Sequence, residues 1–407
     1  MTASTFASVE LAPRDPILGV TEAFKADQRP GKTNLGVGVY IDENGKIPLL
    51  PSVRQAEEIV VARKMPHGYQ PIEGFTGYLE QVQALLFGAD SELLKAGRVA
   101  TFETLGGTGA LKVGADSIRR FLPTAKALIS QPSWENHRAI FEYAGFEVQE
   151  YGYYDSTTHG LNLPAMLDSL RNATPGDVVV LHVCCHNPTG VDLTEQQWRE
   201  VAAVCKERGL LPFLDMAYQG FAQGTVEDAV ALRVFIETGL NLMVANSFSK
   251  SFSLYGERVG ALSVVTHSAD EAQRVTSQIK RVIRANYSNP PTFGGALVAT
   301  VLATPALREM WAQELAHMRV RIKSMRDGLV MRLNQAMIAN KIDRNFDFIG
   351  EQRGMFSFSG LTPEQVQHMQ DNAGIYAIRS GRICLAAVSE QNIDHVAKAI
   401  ADAIVAS

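Results

Sequence analysis

Val178-Val-Val-Leu-His-Val-Cys-Cys-His186-Asn187-Pro188-Thr189-Gly190 is a mostly apolar run that stops at an Asn-Pro-Thr-Gly turn. A strand wetted on one face alternates apolar and polar residues. A short continuous apolar run bounded by Pro and Gly instead reads as a strand buried on both faces, as in a parallel sheet covered by helices. The pattern returns in Leu210-Leu-Pro-Phe-Leu-Asp215-Met-Ala-Tyr218-Gln-Gly and in Leu242-Met-Val-Ala-Asn-Ser247-Phe-Ser249-Lys250. Ligands of open α/β sheets sit beyond the carboxyl ends of the strands. Three consecutive strand ends therefore present Asn187, then Asp215 with Tyr218, then Lys250, to one place.

Working outward, apolar strands alternate with amphipathic helices from about residue 46 to 310, with strands expected over 178–183, 211–214 and 242–245. The fold class expected is α/β, a mostly parallel sheet with helices on both faces, joined to a smaller α/β domain. The 407 residues exceed what one core usually supports, so two domains are expected. Residues 46–309 form the large domain, and residues 310–407 the small one. Residues 1–14 read as a loose arm. Asp15-Pro-Ile-Leu opens a helix that Pro30-Gly31 ends, and Asn34-Leu-Gly-Val-Gly38-Val-Tyr reads as a strand or a close backbone approach. A long helix is expected from 307 to about 337, with Met318, Ile322 and Met325 on its core face. Phe346-Asp-Phe-Ile, Gly354-Met-Phe-Ser-Phe and Arg382-Ile-Cys-Leu-Ala read as strands, and 391–406 as a closing helix.

Hydrophobic content of 46% with 20% charged residues is that of an ordinary globular chain. A net charge of −5 leaves no basic excess for nucleic acid. No apolar run is long enough to span a bilayer, and the first residues lack the pattern of a secretory signal. Four cysteines in so long a chain do not make a disulfide framework, so a cytoplasmic location is expected.

Lys250 has hydroxyls at Ser247 and Ser249 beside it and Arg258 downstream in Ser-Leu-Tyr-Gly-Glu-Arg258. A strand-end lysine that loses water is easier to deprotonate, and a neutral amine attacks a carbonyl to form a Schiff base. The hydroxyls and the guanidinium suit a nearby phosphate. Lysine plus phosphate site is what pyridoxal phosphate requires. The competing reading is a solvated lysine, which the two other strand ends argue against. Gly106-Gly107-Thr108-Gly109 precedes a helical stretch, so its amides and the helix dipole would favour an anion. Lys112 at the sixth position from Gly107 excludes a dinucleotide fingerprint.

These segments, with Pro132-Ser-Trp134-Glu-Asn-His137, Asn286-Tyr-Ser-Asn-Pro-Pro and Ser380-Gly-Arg382, resemble the class I aminotransferases of pyridoxal phosphate fold type I. The resemblance runs from Asp15 almost to the C-terminus, and it implies that residues 1–45 also supply part of the small domain. It implies that Lys250 carries the cofactor and shuttles the substrate's α-proton. It also implies that Asp215 pairs with the pyridine nitrogen, with His137 orienting it, and that Asn187 and Tyr218 bond the phenolic oxygen. Trp134 would stack on the ring, and Gly107, Thr108, Ser247, Ser249 and Arg258 would hold the phosphate. Arg382 would clamp the α-carboxylate, with Gly38, Trp134 and Asn187 nearby. Arg284 would pair with a distal carboxylate, and Arg284 and Tyr69 would reach in from a neighbouring subunit, making a homodimer with shared sites. Substrates would be amino acids and 2-oxo acids, with no metal.

Two rival readings compete. His182 and His186 flank Cys184 and Cys185, a zinc-like set, but along a strand such spacing does not converge. Ala26-Asp-Gln-Arg-Pro-Gly31-Lys32-Thr33 nearly spells a P-loop but lacks its first glycine. Within the aminotransferases, His67-Gly-Tyr69-Gln-Pro-Ile-Glu-Gly and Gln352-Arg-Gly-Met-Phe look closer to the aromatic branch, with aspartate use retained and 2-oxoglutarate as acceptor. Ile17, Val37 and Ile41 are expected as apolar walls, with Ala387 narrowing the pocket mouth.

Overall fold

A computed structural model describes residues 4–12, 18–64 and 66–406. Seven strands form the central sheet: β1 (Val99–Leu105), β2 (Ala127–Gln131), β3 (Val148–Gly152), β4 (Val178–His182), β5 (Leu211–Met216), β6 (Leu242–Ser247) and β7 (Val259–Val265). Their spatial order is β1-β7-β6-β5-β4-β2-β3. Only β7 runs against the others, pairing antiparallel with both β1 and β6. The expected helix-covered, mostly parallel sheet is what forms.

Side chains alternate across the sheet, and both sets are buried. Val179, Leu181, Leu214 and Val244 enter one apolar cluster, while Val180, Phe213, Met243 and Ala245 enter the other. A pleated strand sends successive side chains to opposite faces, so burial on both faces demands the unbroken apolar sequences seen here. Burying each such side chain contributes about 1.5–3 kcal/mol before entropy is charged against it.

The parallel register places His182 opposite Asp215, and Asp215 opposite Ala245. Asp215 is one residue from the end of β5, His182 ends β4 and Ser247 ends β6. The strand tips thus lie side by side.

A segment near the start of the chain meets one near its end. Thr33–Asn34 pairs in parallel with Ile375–Tyr376, and β8 (Phe356–Phe358) pairs antiparallel with β9 (Arg382–Cys384). One helix runs without interruption from Pro305 to Ala339, burying Met318, Ile322 and Met325 as expected. The closing helix spans Ile393–Val405. No helix among the described residues is long and apolar enough to cross a membrane.

One local expectation fails. Phe346-Asp-Phe-Ile is not a strand: Asp347–Glu351 is a helix, with Asn334 accepting from Phe346 N–H and donating to Asp347. Phe346 and Ile349 are the fully buried pair, the three-residue spacing of a helical face, where a strand would bury alternate residues. The stretch 34–40 is a strand for only one of its residues. The helix expected from Asp15 is seen over Leu18–Ala26, and Asp15, Pro16 and Ile17 lie outside the described residues.

Candidate active site

Beyond the strand tips, Lys250, Asp215, Tyr218, Asn187, Ser247, Ser249, Arg258, Trp134, Gly107, Thr108, Gly38 and Arg382 line one pocket. Each arrives by a different local device. Lys250 sits in a loop after β6 whose flanks, Phe248 and Phe252, are buried. Phe252 stacks on Trp311 at 4.7 Å, and Trp311 donates to the carbonyl of Ser251 at 2.7 Å. Asn187 follows a bend at Cys185 (φ 52°), held by the half-buried Asp192, whose carboxylate accepts from Cys185 N–H at 2.8 Å and His186 N–H at 2.9 Å. The loop after Tyr218 wraps the Asp228 carboxylate, which accepts from the N–H groups of Gly220, Ala222 and Gln223. Both aspartates hold the turns that aim the pocket residues. The sequence reading passed over them because such bonds close within a loop and leave no periodic trace.

The anion end is built from the helix Gly106–Phe121 and the β6–β7 connection. Gly106 has φ +67°, and a Cβ there would stand 2.6 Å from the Arg258 guanidinium. Glycine is therefore needed both for the backbone and for the arginine. Arg258 reaches Ser249 Oγ at 3.5 Å, while Ser249 N–H donates to Ser247 Oγ at 3.3 Å. Helix N-terminal amides, two hydroxyls and a guanidinium face one volume, a site suited to a phosphate dianion.

At the opposite end, Asp215 is buried and accepts from His137 Nε2 at 2.9 Å, and His137 Nδ1 meets Ser133 Oγ at 2.9 Å. Burial would raise the Asp215 carboxyl, but the His137 hydrogen bond and the charges of His137, His182 and Lys250 outweigh it and hold it below its ordinary value. Asp215 is thus a carboxylate, able to pair with a protonated ring nitrogen. Burial brings Lys250 down to about 8, with Arg258 and Arg382 pushing the same way and Asp215 opposing. Its Nζ lies 5.2 Å from the centre of the Tyr218 ring. Burial raises the Tyr218 phenol well above its ordinary value, with Arg382 opposing, so that it stays a donor.

Arg382 is 1% exposed with no carboxylate on it. Its guanidinium lies 4.4 Å from the centre of the Phe356 ring, donating to Asn187 Oδ1 at 3.2 Å and the Gly36 carbonyl at 3.1 Å, and its Nε has no partner among the described residues. The close backbone approach, the alternative reading of 34–40, is thus realised at Gly36.

Some expected residues lie elsewhere. Tyr69 is 96% exposed and Arg284 is exposed at the end of the helix Ala269–Asn286, and neither lines the pocket of its own chain. Ile41 and Ala387 line a separate groove of about 680 Å³ that also takes in Arg29 and His395, so neither narrows this pocket. Val37 packs on the core. Ile17 lies outside the described residues. Lys32, the lysine of the near P-loop, donates to the carbonyl of Phe24 at 2.7 Å and serves a helix end. His186 is engaged by Ser130 and Thr189, whereas His182 lies beside His137 and Asp215, their ligand atoms within 4.8 Å. The structure adds His182, Leu111, Ala217 and Phe356 to the pocket wall. Phe356 was legible only as part of a strand, because its contact with Arg382 is made through the pairing of β8 with β9.

The profile of the family described as aminotransferase class I and II matches residues 30–400. An aspartate aminotransferase of Pseudomonas aeruginosa is 56% identical over 98% of this chain and 99% of its own. The aromatic-amino-acid aminotransferase of Escherichia coli is 49% identical over 97% and 99%. The crystal structure of an aromatic-amino-acid aminotransferase from Burkholderia pseudomallei, covalently bound to pyridoxal phosphate, superposes with a TM-score of 0.95 at 60% identity, covering 98% of this chain and 99% of that one. With the pocket's geometry and these likenesses together, the chain belongs to the class I and II aminotransferases.

Proposed function

We propose that this chain is a pyridoxal phosphate-dependent transaminase. It moves the amino group of aromatic L-amino acids (tyrosine, phenylalanine and tryptophan) and of aspartate to 2-oxoglutarate. The observation that carries the reading is the convergence of Lys250, Asp215 and Arg382 on one pocket with an anion cradle at its far end. The residues present suit the cofactor: Gly107, Thr108, Ser247, Ser249 and Arg258 for its phosphate, Asp215 for its ring nitrogen, Trp134 for its ring. The unpartnered Nε of Arg382 suits a substrate carboxylate. Pyridoxal phosphate supplies an electron sink for the α-carbon when bound.

Lys250 is the proton carrier. With its amine near 8, Nζ exchanges a proton at neutral pH with little thermodynamic cost in either direction. Asp215, held ionised by His137, would favour a proton on the ring nitrogen of the bound cofactor. Asn187 has its Oδ1 engaged by Arg382, which leaves its Nδ2 as a donor, and Tyr218 lines the same pocket. Arg382 fixes the α-carboxylate in a fork and so orients the α-hydrogen toward Lys250.

Two chains complete each site in this reading, Tyr69 reaching the cofactor phosphate and Arg284 the distal carboxylate of a homodimer partner. Their exposure, large side chains with no role in their own pocket, supports it. We also propose that residues 46–309 make the cofactor-holding unit and that 1–45 with 310–407 make the smaller one, supported by the pairing of Thr33–Asn34 with Ile375–Tyr376. A cytoplasmic location is supported by four buried cysteines, all free.

The deciding measurement is kcat/KM for phenylalanine, tyrosine, tryptophan and aspartate against 2-oxoglutarate. Aromatic donors within about tenfold of aspartate are expected. An aspartate preference of ~100-fold, about 2.7 kcal/mol in the transition state, would make the chain an aspartate aminotransferase with minor aromatic activity.

A further inference from the structure

The two loops bearing Tyr69 and Arg284 are tied to each other on the surface of a single chain. Asn289 Nδ2 donates to the carbonyl of Gln70 at 2.7 Å, and Gln70 Nε2 donates back to the carbonyl of Pro291 at 3.2 Å. The tie extends to the arginine: Arg284 donates to Ser288 Oγ, and Ser288 Oγ donates to Asn289 Oδ1 at 2.9 Å. Asn289 therefore uses one end of its amide on the tyrosine's loop and the other on the arginine's. Ser288 sits at φ 70°, a conformation that a non-glycine residue holds only when its surroundings impose it.

Below the surface the loops share a footing on β1. Glu103 N–H donates to the carbonyl of Glu73, three residues after Gln70, and the Tyr287 hydroxyl donates to the carbonyl of Glu103 at 3.1 Å. Lys280 pairs with Glu73 at 2.8 Å, adding a second link between the two segments. Seven bonds thus hold a surface from which Tyr69 and Arg284 project, 96% exposed and exposed respectively. Long side chains in water lose their rotamer entropy only on binding, so fixing their backbones beforehand lowers the cost of a precise placement.

We propose that Asn289 and Gln70 are positioning residues, a reciprocal clamp that delivers Tyr69 and Arg284 to the neighbouring subunit's site as one unit. The proposal rests on the shared-site reading given above. It requires that a break in the clamp disturb two functions together: cofactor retention through Tyr69, and recognition of a dicarboxylic substrate through Arg284.

The test is made on the holoenzyme, with Asn289→Ala and Gln70→Ala as separate variants. Each should raise KM for 2-oxoglutarate by about 5–20-fold and speed cofactor release by a few fold. Both should leave kcat within about twofold and melting within a few degrees, since misplacement by a fraction of an ångström weakens contacts without removing them. A merely structural role would lower melting temperature and reduce kcat for every substrate alike. In either variant, constants that do not move, or only one of the pair moving, would overturn the clamp. Hybrid dimers with Lys250→Ala in one subunit retain a single working site. Asn289→Ala placed on the Lys250→Ala chain should reproduce the raised KM, and placed on the other chain should not. A defect that followed the chain with Lys250 intact would overturn the shared-site reading, and the proposal with it, whereas unmoved constants in the simple variants overturn the clamp alone.

Discussion

The buried pocket and the exposed surface that carries Tyr69 and Arg284 are built on opposite principles. Around Asp215 and Arg382 the charged side chains are taken out of water and held by fixed partners: His137 for the carboxylate, Asn187 and the Gly36 carbonyl for two nitrogens of the guanidinium. Around Tyr69 and Arg284 the side chains stay in water, and order is imposed on the backbone beneath them. Low dielectric makes electrostatics strong enough to shift proton affinities, which chemistry needs. A hydrated arginine on a fixed base can still be desolvated by whichever side chain the substrate brings, which selection between acidic and aromatic groups needs. If the proposed function holds, reactivity and selectivity are separated in space, and variants should separate them too.

The largest effect is expected at Lys250. Lys250→Ala should reduce kcat by at least ~10³-fold for acidic and aromatic donors alike, with circular dichroism unchanged, because general acid–base transfer has no substitute in the pocket. Full turnover in that variant would break the contrast at its root. Arg382→Ala comes next, at ~10²–10³-fold in kcat/KM for all donors, since every substrate presents an α-carboxylate to a fully buried guanidinium. Arg284→Ala should discriminate: KM for aspartate and 2-oxoglutarate up by ~10–100-fold, phenylalanine in the half-reaction by less than about threefold. Equal losses for both classes would show that the exposed face also serves reactivity.

The smallest effect tests the seam between the two faces. Glu103 is 1% exposed beneath the clamp, with Gly74 and Gly295 against its carboxyl group, and burial raises it to about 8 from 4.5. Tyr78 and Tyr287 face it, and the Glu73–Lys280 pair lies on the adjoining segments. Between pH 4.5 and 8 the unfolded chain has lost a proton that the folded chain keeps, so stability falls as pH rises through that window. Glu103→Gln should match the wild type near pH 5 and exceed it by ~1–3 kcal/mol near pH 9, read as denaturant midpoints. Lys250 acts oppositely in the cofactor-free protein. Lowered to about 8 from 10.5, it lets the unfolded chain hold the extra proton between pH 8 and 10.5, so stability rises with pH through that window. Identical pH profiles for Glu103→Gln and the wild type would remove the buried carboxyl from this account.

Much of this was legible in one dimension. The unbroken apolar runs ending at Asn187, Asp215 and Lys250 determined a two-faced parallel sheet and the place of its ligand, because pleat periodicity and burial leave little other use for such strings. The glycine-rich turn at Gly106 carried its anion chemistry in its composition. Other features were settled only in three dimensions. Asp192 and Asp228, which hold the loops carrying Asn187 and Tyr218, act through bonds whose spacing follows no repeat. Phe346-Asp-Phe-Ile is apolar enough for a strand and became a helix because Asn334, twelve residues earlier, claimed the backbone of Phe346. Phe356 gained its place under Arg382 through strand pairing. Asn289 and Gln70 are over two hundred residues apart in sequence. Local physics reads periodicity and turn chemistry from neighbouring residues. Contacts between distant polar side chains depend on where the finished fold brings their backbones, and that information exists only once the chain has closed on itself.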